Sequence, residues 1–442
     1  NTEINVTAGT VSQDVFGGGK GQTTTVVGSV TVKIGSVTSG DTPTYSGNGI
    51  VEGDVYGGSA LGNVNATKAT NYETLQSLSL TTGKDTKVYL YGGTVEGNLY
   101  GGGLGQQKRE ADTEAGTEAQ EAIAANVYGP VTVTIQSGTV TNVFGCNNLN
   151  GAPQNTVVVN INGSAEPTTS NPKPINNVYG GGNQAEYAGS PIVTMTGGTV
   201  DNVFGGGLSA NVAGSVTVNI QGGTVLSDVY GGGALANTNT DNWNLTDGEG
   251  AWANAQKAAF KTTTVNLTGG VVGNAYGGGL GEKDTPAIVW GNVRVDLNGT
   301  TTDLDNDAYG STPISSTSKG CVVGKIFGCN NVNGTPKGKV LVHVHSTQSD
   351  DSEASQIANV SEGDKNKVKG RYDVAAVYGG GNEAAYDPII DGEESEANHA
   401  HTHVVIEGCD LTSIETVYGG GNAASTPSTK VEIIGSFEIN EV

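Results

Sequence analysis

Positive charge, aromatic rings and long apolar runs are all scarce in this sequence, and each scarcity excludes something. Lys and Arg total 21 against 44 Asp and Glu, a formal charge of −23, and Arg occurs only at Arg109, Arg294 and Arg371. So acidic a chain repels phosphate backbones and anionic lipid headgroups, which sets nucleic acid aside as a partner. No stretch approaches the roughly 20 consecutive apolar residues of a membrane span. The start, NTEINVTAGTV, carries neither a basic segment nor an apolar one. No membrane insertion by this chain is expected, and it reads as a mature piece of something longer. Aromatics make up 6% and there is one Met, too little for a thick globular core but enough for a long, narrow one. The four cysteines, Cys146, Cys321, Cys329 and Cys409, form no C-x-x-C pair, so neither a zinc knuckle nor a redox dithiol is suggested.

What is abundant is glycine, 71 of 442 residues, and it is periodic. An aliphatic residue or Ala, an aromatic and then glycine recur at Phe16, Tyr56, Tyr100, Phe144, Tyr179, Phe204, Tyr230, Tyr276, Phe327, Tyr378 and Tyr418. Most of these anchors follow a strand-like run and a glycine step, as in VTVNIQGGTVLSDVYGGG (216 to 233) and TVNLTGGVVGNAYGGG (264 to 279). The unit is strand, glycine turn, short strand, glycine turn. Alternation puts Val216, Val218 and Ile220 on one face and Thr217 and Asn219 on the other, so each strand is expected to be half buried. The tightest anchor spacings, from Tyr179 to Phe204 and from Phe204 to Tyr230, suit one solenoid turn and leave too little chain for a four-stranded propeller blade. A sandwich would need regular hairpin turns, which these glycine steps do not supply. The fold class expected is all-β, a right-handed parallel β-helix of about eleven coils with loop inserts, the hand following the strong preference of parallel crossovers. Cys321 and Cys409 would then sit two coils apart, about 10 Å, too far for a disulfide.

A longer duplication overlies the short repeat. DVYGGSALGNVNAT (54 to 67) resembles DVYGGGALANTNT (228 to 240), NLYGGGLGQQ (98 to 107) resembles NAYGGGLGEK (274 to 283), and NVFGCNNLNG (142 to 151) resembles KIFGCNNVNG (325 to 334). The chain reads as one β-helix domain over 1–442, duplicated over about 10–197 and 198–410, with a third copy starting at 411–442. Asn148, Asn183, Asn331, Asn382 and Asn422 fall at matching positions after their anchors and are expected to form an asparagine ladder in a turn. Cys146 and Cys329 take a place that is elsewhere glycine, where a small, weakly polar side chain fits.

Acidic residues concentrate in inserts at 108 to 121, 349 to 356, 361 to 364 and 391 to 396, which read as solvated loops; no EF-hand or calcium β-roll pattern is present. All five histidines lie in two neighbouring coils, in VLVHVHS (340 to 346) and HAHTHVVIE (399 to 407). With Val340, Val342 and Val344 inward, His343, His345, His399, His401 and His403 are expected on an exposed outer face, where several imidazoles would share a patch able to take adventitious zinc, nickel or copper. The bland reading is a polar strand face that happens to carry His, and no cofactor is otherwise expected. Simple alternation puts the anchor rings outward in a Tyr/Phe stripe; if the glycine turn swings them inward they form a stacked core, the favoured alternative because a long exposed stripe invites aggregation. Trp243 and Trp252 share one insert (241 to 261) and either pack on the rod or form a carbohydrate platform.

The G-G-T-V-x-x-V-Y-G-G-G units, as in GGTVDNVFGGG (197 to 207), resemble those of the adhesin-like β-helical surface proteins of gut Bacteroidetes, over essentially the whole chain. The resemblance implies export to the cell surface and recognition of a glycan or of a host or bacterial surface protein. No binding residues carry over. The alternative is a polysaccharide lyase or glycoside hydrolase on a β-helix, which needs clustered carboxylates, or a carboxylate-bound calcium with a basic residue. The core strands expose Thr, Asn and Ser instead, so no catalytic residues are assigned. The chain begins and ends in strand-like segments without a polar cap, so caps, further domains or end-to-end self-association are expected.

Overall fold

The structure, a computed structural model, describes residues 1–67, 78–111, 117–245, 261–300, 312–313, 320–347, 372–389 and 401–442. The chain is all-β, with parallel strands stacked as in a β-solenoid; among the described residues helix is confined to the short 3-10 segments Thr240–Leu245 and Cys409–Leu411. It divides into two compact units, one of Asn1–Val193 with Gly198–Val200 and Gly207–Ala213, the other of Thr194–Gly197, Asp201–Gly206 and Gly214–Val442.

In the first unit the strands Thr2–Val6, Val30–Ile34, Thr86–Leu90, Val131–Ile135 and Val157–Ile161 pair in parallel, each on the next, without slippage. That register lines up Val32, Val88, Val133 and Val159 in one column and Ile34, Leu90, Ile135 and Ile161 in another, all fully buried. Each such side chain contributes about 1.5–3 kcal/mol by leaving water, so a narrow stripe repeated at every coil replaces a thick core. A second ladder joins Thr10–Val11, Ile50–Val51, Thr94–Tyr100, Thr139–Phe144 and Ile175–Tyr179.

The second unit is built the same way. Val216–Tyr230 and Thr262–Tyr276 pair along their whole lengths. One ladder then continues through Asn292–Leu297, Val340–Val344, Thr402–Ile406 and Thr429–Ile433. The other runs through Gly320–Phe327, Val374–Tyr378, Ser413–Tyr418 and Glu438–Glu441. Within Val216–Tyr230, the residues Val216, Val218 and Ile220 are buried while Thr217 and Asn219 are half-buried, the pattern that alternation dictates. The glycine step does not interrupt these two long strands. Gly223 (φ 83°) and Gly270 (φ 84°) turn the chain in the left-handed region, and the pairing shifts register there, so the corner is a kink inside a paired strand. A β-carbon would be strained at those two positions.

The anchor rings form stacks. Phe16, Tyr56, Tyr100, Phe144 and Tyr179 follow one another in the first unit with centroids 4.7 to 4.9 Å apart. Phe204, Tyr230, Tyr276, Phe327, Tyr378 and Tyr418 do so in the second at 4.7 to 5.2 Å. The rings from Tyr56 to Tyr179 and from Phe204 to Phe327 are buried. The stripe is therefore stacked and largely buried, with Phe16, Tyr378 and Tyr418 half-buried. The reason for glycine directly after each ring is visible at Gly101, where a β-carbon would lie 2.6 Å from Val131 Cγ1 of the next coil.

Candidate functional site

The twice-written GCNN phrase is a turn tied down by its side-chain amides. Asn147 Nδ2 donates to Ala125 O at 2.7 Å and to Asn150 O at 3.0 Å, and Asn330 Nδ2 donates to Ala287 O at 2.6 Å and to Asn333 O at 3.1 Å. Asn150 and Asn333 reach back to the preceding coil through Gln106 O and Glu282 O. Asn183 Nδ2 donates to Asn148 Oδ1, Asn382 Nδ2 to Asn331 Oδ1 and Asn422 Nδ2 to Asn382 Oδ1, each at 2.9 Å. These side chains are therefore consumed along the stack. Cys146 and Cys329 are wholly buried, and burial pushes both thiols well above the usual range.

In the first unit the turns after the glycine runs leave a groove of about 740 Å³. Leu61, Leu104 and Leu149 rise from successive turns, held in step by Leu104 N donating to Ser59 O and Leu149 N donating to Leu104 O. They join Phe16 as an apolar floor, and Gln13, Asp14, Lys20, Gln106 and Gln120 line the remainder. Gln106 and Gln120 are fixed by the base of the acidic insert, where Gln106 and Ile123 exchange backbone hydrogen bonds and Arg109 and Gln120 do the same. The volume falls within the range of small-molecule sites, and an apolar floor with a few amides is their usual lining.

The histidines behave differently from the outward patch expected of them. Register places Asp296 opposite His343, and on the next strand Val405 opposite His343 and His403 opposite Leu341. Val340, Val342 and Val344 fill the core, so His343 lies on the other face, with His345 beside it. That face is covered, which corrects the exposed reading: His343 is 1% and His345 4% exposed. Gly299 packs directly against the His345 imidazole, leaving no room for a side chain. His401 and His403 make an edge contact with each other at 6.0 Å, and His403 Nε2 lies 2.6 Å from Glu432 Oε2. His399 lies outside the described residues.

What does assemble around His343 and His345 is a buried ionic cluster. The two imidazoles stack at 3.8 Å and 17°. His345 Nε2 is 3.1 Å from Asp296 Oδ1, and Arg294 Nε is 2.7 Å from Asp296 Oδ2. His343 Nε2 is 3.2 Å from Glu407 Oε2, and the same oxygen is 3.8 Å from His345 Nδ1. Burial first, then His345, hold His343 down at about 4 despite the opposing pull of Glu407 and Asp296. Neutral His343 leaves a lone pair, and ligand atoms of Asp296, His343 and His345 all lie within 4.8 Å of one another. Imidazole and carboxylate donors at such spacing are the set that zinc and its neighbours take.

Asp296, Glu407 and Arg294 were not singled out from the sequence. The signal was there in the alternation: NVRVDL (292 to 297) superposes on the strand carrying His343, and Asp296 falls at the His343 position. Trp252 lies outside the described residues, and of Trp243 only its place in the 3-10 segment Thr240–Leu245 is described. No family model matches this chain, and no curated protein and no solved structure matches it.

Proposed function

We propose that the chain is a non-catalytic, adhesin-like scaffold, a right-handed β-helix of about eleven coils that works outside the cell or on its surface and binds a glycan or a surface protein. On this reading the sequence is a tandem duplication over about 10–197 and 198–410, with a third copy opening at 411. The observation that supports it best is the groove over Phe16, Leu61, Leu104 and Leu149, with amide, Asp14 and Lys20 side chains around it. Apolar and aromatic surface meets the faces of a sugar ring or an aliphatic side chain, while amides donate and accept towards hydroxyls or a peptide backbone. The coils themselves spend their Asn and Tyr side chains on neighbouring coils, which leaves turns and inserts as the parts free to vary.

A glycan array probed with the purified chain, followed by mass spectrometry of any glycan bound and of uronic-acid polymers, tests this. Binding without cleavage, weakened at least about tenfold by Leu104→Asp, is the expected result. Binding that Leu104→Asp leaves intact but Trp243→Ala or Trp252→Ala abolishes would move the site to the 241–261 insert. Depolymerised product would overturn the non-catalytic reading in favour of the lyase or hydrolase.

A further inference from the structure

We propose that Asp296, His343 and His345, completed by Glu407, form a binding site for one divalent transition-metal ion, zinc above all. The donors come from three successive strands of one ladder: Asp296 from Asn292–Leu297, His343 and His345 from the end of Val340–Val344, and Glu407 from the residue after Thr402–Ile406. Zinc holds imidazole nitrogen and carboxylate oxygen at about 2.0–2.2 Å, which in a tetrahedron sets donors about 3.3–3.6 Å apart. Two donor pairs already stand at 3.1 Å (His345 Nε2 to Asp296 Oδ1) and 3.2 Å (His343 Nε2 to Glu407 Oε2). Glu407 Oε2 also stands 3.8 Å from His345 Nδ1, so it reaches both imidazoles.

The donor chemistry points the same way: two carboxylates, Asp296 and Glu407, stand against the two imidazoles, a set of donors suited to a divalent cation. Arg294 holds the Asp296 oxygen that faces away from His345, the usual task of a residue that orients a ligand from behind. Nitrogen donors select against calcium and magnesium, which prefer all-oxygen shells. Four protein donors make a closed tetrahedral set, so the ion ties strands together.

The test strips the chain with EDTA, adds zinc chloride, dialyses, and counts zinc by mass spectrometry, with melting recorded beside it. One zinc per chain, a raised melting temperature, and the strong visible absorption of four-coordinate cobalt(II) on substitution are expected. His343→Gln and Glu407→Gln should lose the retained zinc while still melting cooperatively, and His403→Gln should keep it. Should His343→Gln fail to fold, Glu407→Gln, whose side chain is partly exposed, carries the test alone. Absence of retained zinc in the cooperatively melting chain, or zinc that survives Glu407→Gln and departs with His403→Gln, overturns the proposal. Neither result depends on whether a glycan binds.

Discussion

Asn148 donates a 2.7 Å hydrogen bond from Nδ2 to the phenolic oxygen of Tyr56, 92 residues earlier in the chain. Tyr56 in turn donates to Asp54 Oδ2 at 2.9 Å. The second unit repeats the relay: Asn331 donates to Tyr230 at 2.7 Å, and Tyr230 to Asp228 Oδ2 at 2.8 Å. The second asparagine of the GCNN phrase therefore pins a ring two anchors back, and burial raises both phenols far above their ordinary pKa.

Tyr56→Phe removes the middle of that relay and leaves the buried Asn148 amide without this acceptor. A loss of about 1–3 kcal/mol is expected, the usual desolvation cost of an orphaned buried polar group. Urea titration followed by circular dichroism reads it, and an unchanged midpoint would mean the hydroxyl is idle.

Stack position sets the second expectation. Phe144 lies between Tyr100 at 4.8 Å and Tyr179 at 4.7 Å, whereas half-buried Phe16 stacks on Tyr56 at 4.7 Å from one side. Phe144→Ala should cost about 3–5 kcal/mol and Phe16→Ala clearly less, by the same titration.

Glycine after the ring is demanded by the neighbouring coil and not by habit. A β-carbon on Gly380 would stand 2.6 Å from Gly421 N and from Thr426 Oγ1, while on Gly420, at the same place in the motif, the nearest atom is 3.9 Å away. Gly380→Ala is expected to cost about 1–3 kcal/mol through overpacking, and Gly420→Ala to stay within about 0.5 kcal/mol. Equal melting temperatures for the two variants would refute the contact argument.

Thiol labelling separates the four free cysteines. Cys409 is exposed, while Cys146, Cys321 and Cys329 are buried. Burial pushes Cys321 up to about 12 and raises the other two buried thiols well above the usual thiol range. The native chain at pH 8 should react rapidly with one equivalent of Ellman's reagent and with four once unfolded. A second fast equivalent under native conditions would show that a coil has opened.

Alternation and glycine spacing carried the strands, because VTVNI leaves a β-branched residue no choice of face once one face is buried. They carried the asparagine positions as well, since a side chain at a fixed offset from a stacked ring must meet its own equivalent one coil on. Neither rule says whether the opposite face stays wet. His343 alternates with the valines as expected, yet it is buried, and beside it Gly299 lies against the His345 ring. Asp296 and Glu407 lie 47 residues before and 64 after His343, and only the pairing register brings the three together. The leucine floor had the same obstacle: Leu61, Leu104 and Leu149 are far apart in sequence, and only the stacking of successive turns brings them to one groove.

The glycine that follows each ring makes a directed hydrogen-bond column in each unit. Gly17 N donates to Tyr56 O, Gly57 N to Tyr100 O, Gly101 N to Phe144 O and Gly145 N to Tyr179 O. In the second unit the same column runs from Gly205 to Tyr230 and on through Gly231, Gly277, Gly328 and Gly379 to Tyr418 O. Every donor sits on the earlier coil and every acceptor on the later one, so the peptide dipoles of a column add. Within this column each coil presents a carbonyl to its predecessor and an N–H to its successor, so the column reads the same way at every step. Each unit thus repeats one directed contact, in which the number of coils is free and the order of donor and acceptor is fixed.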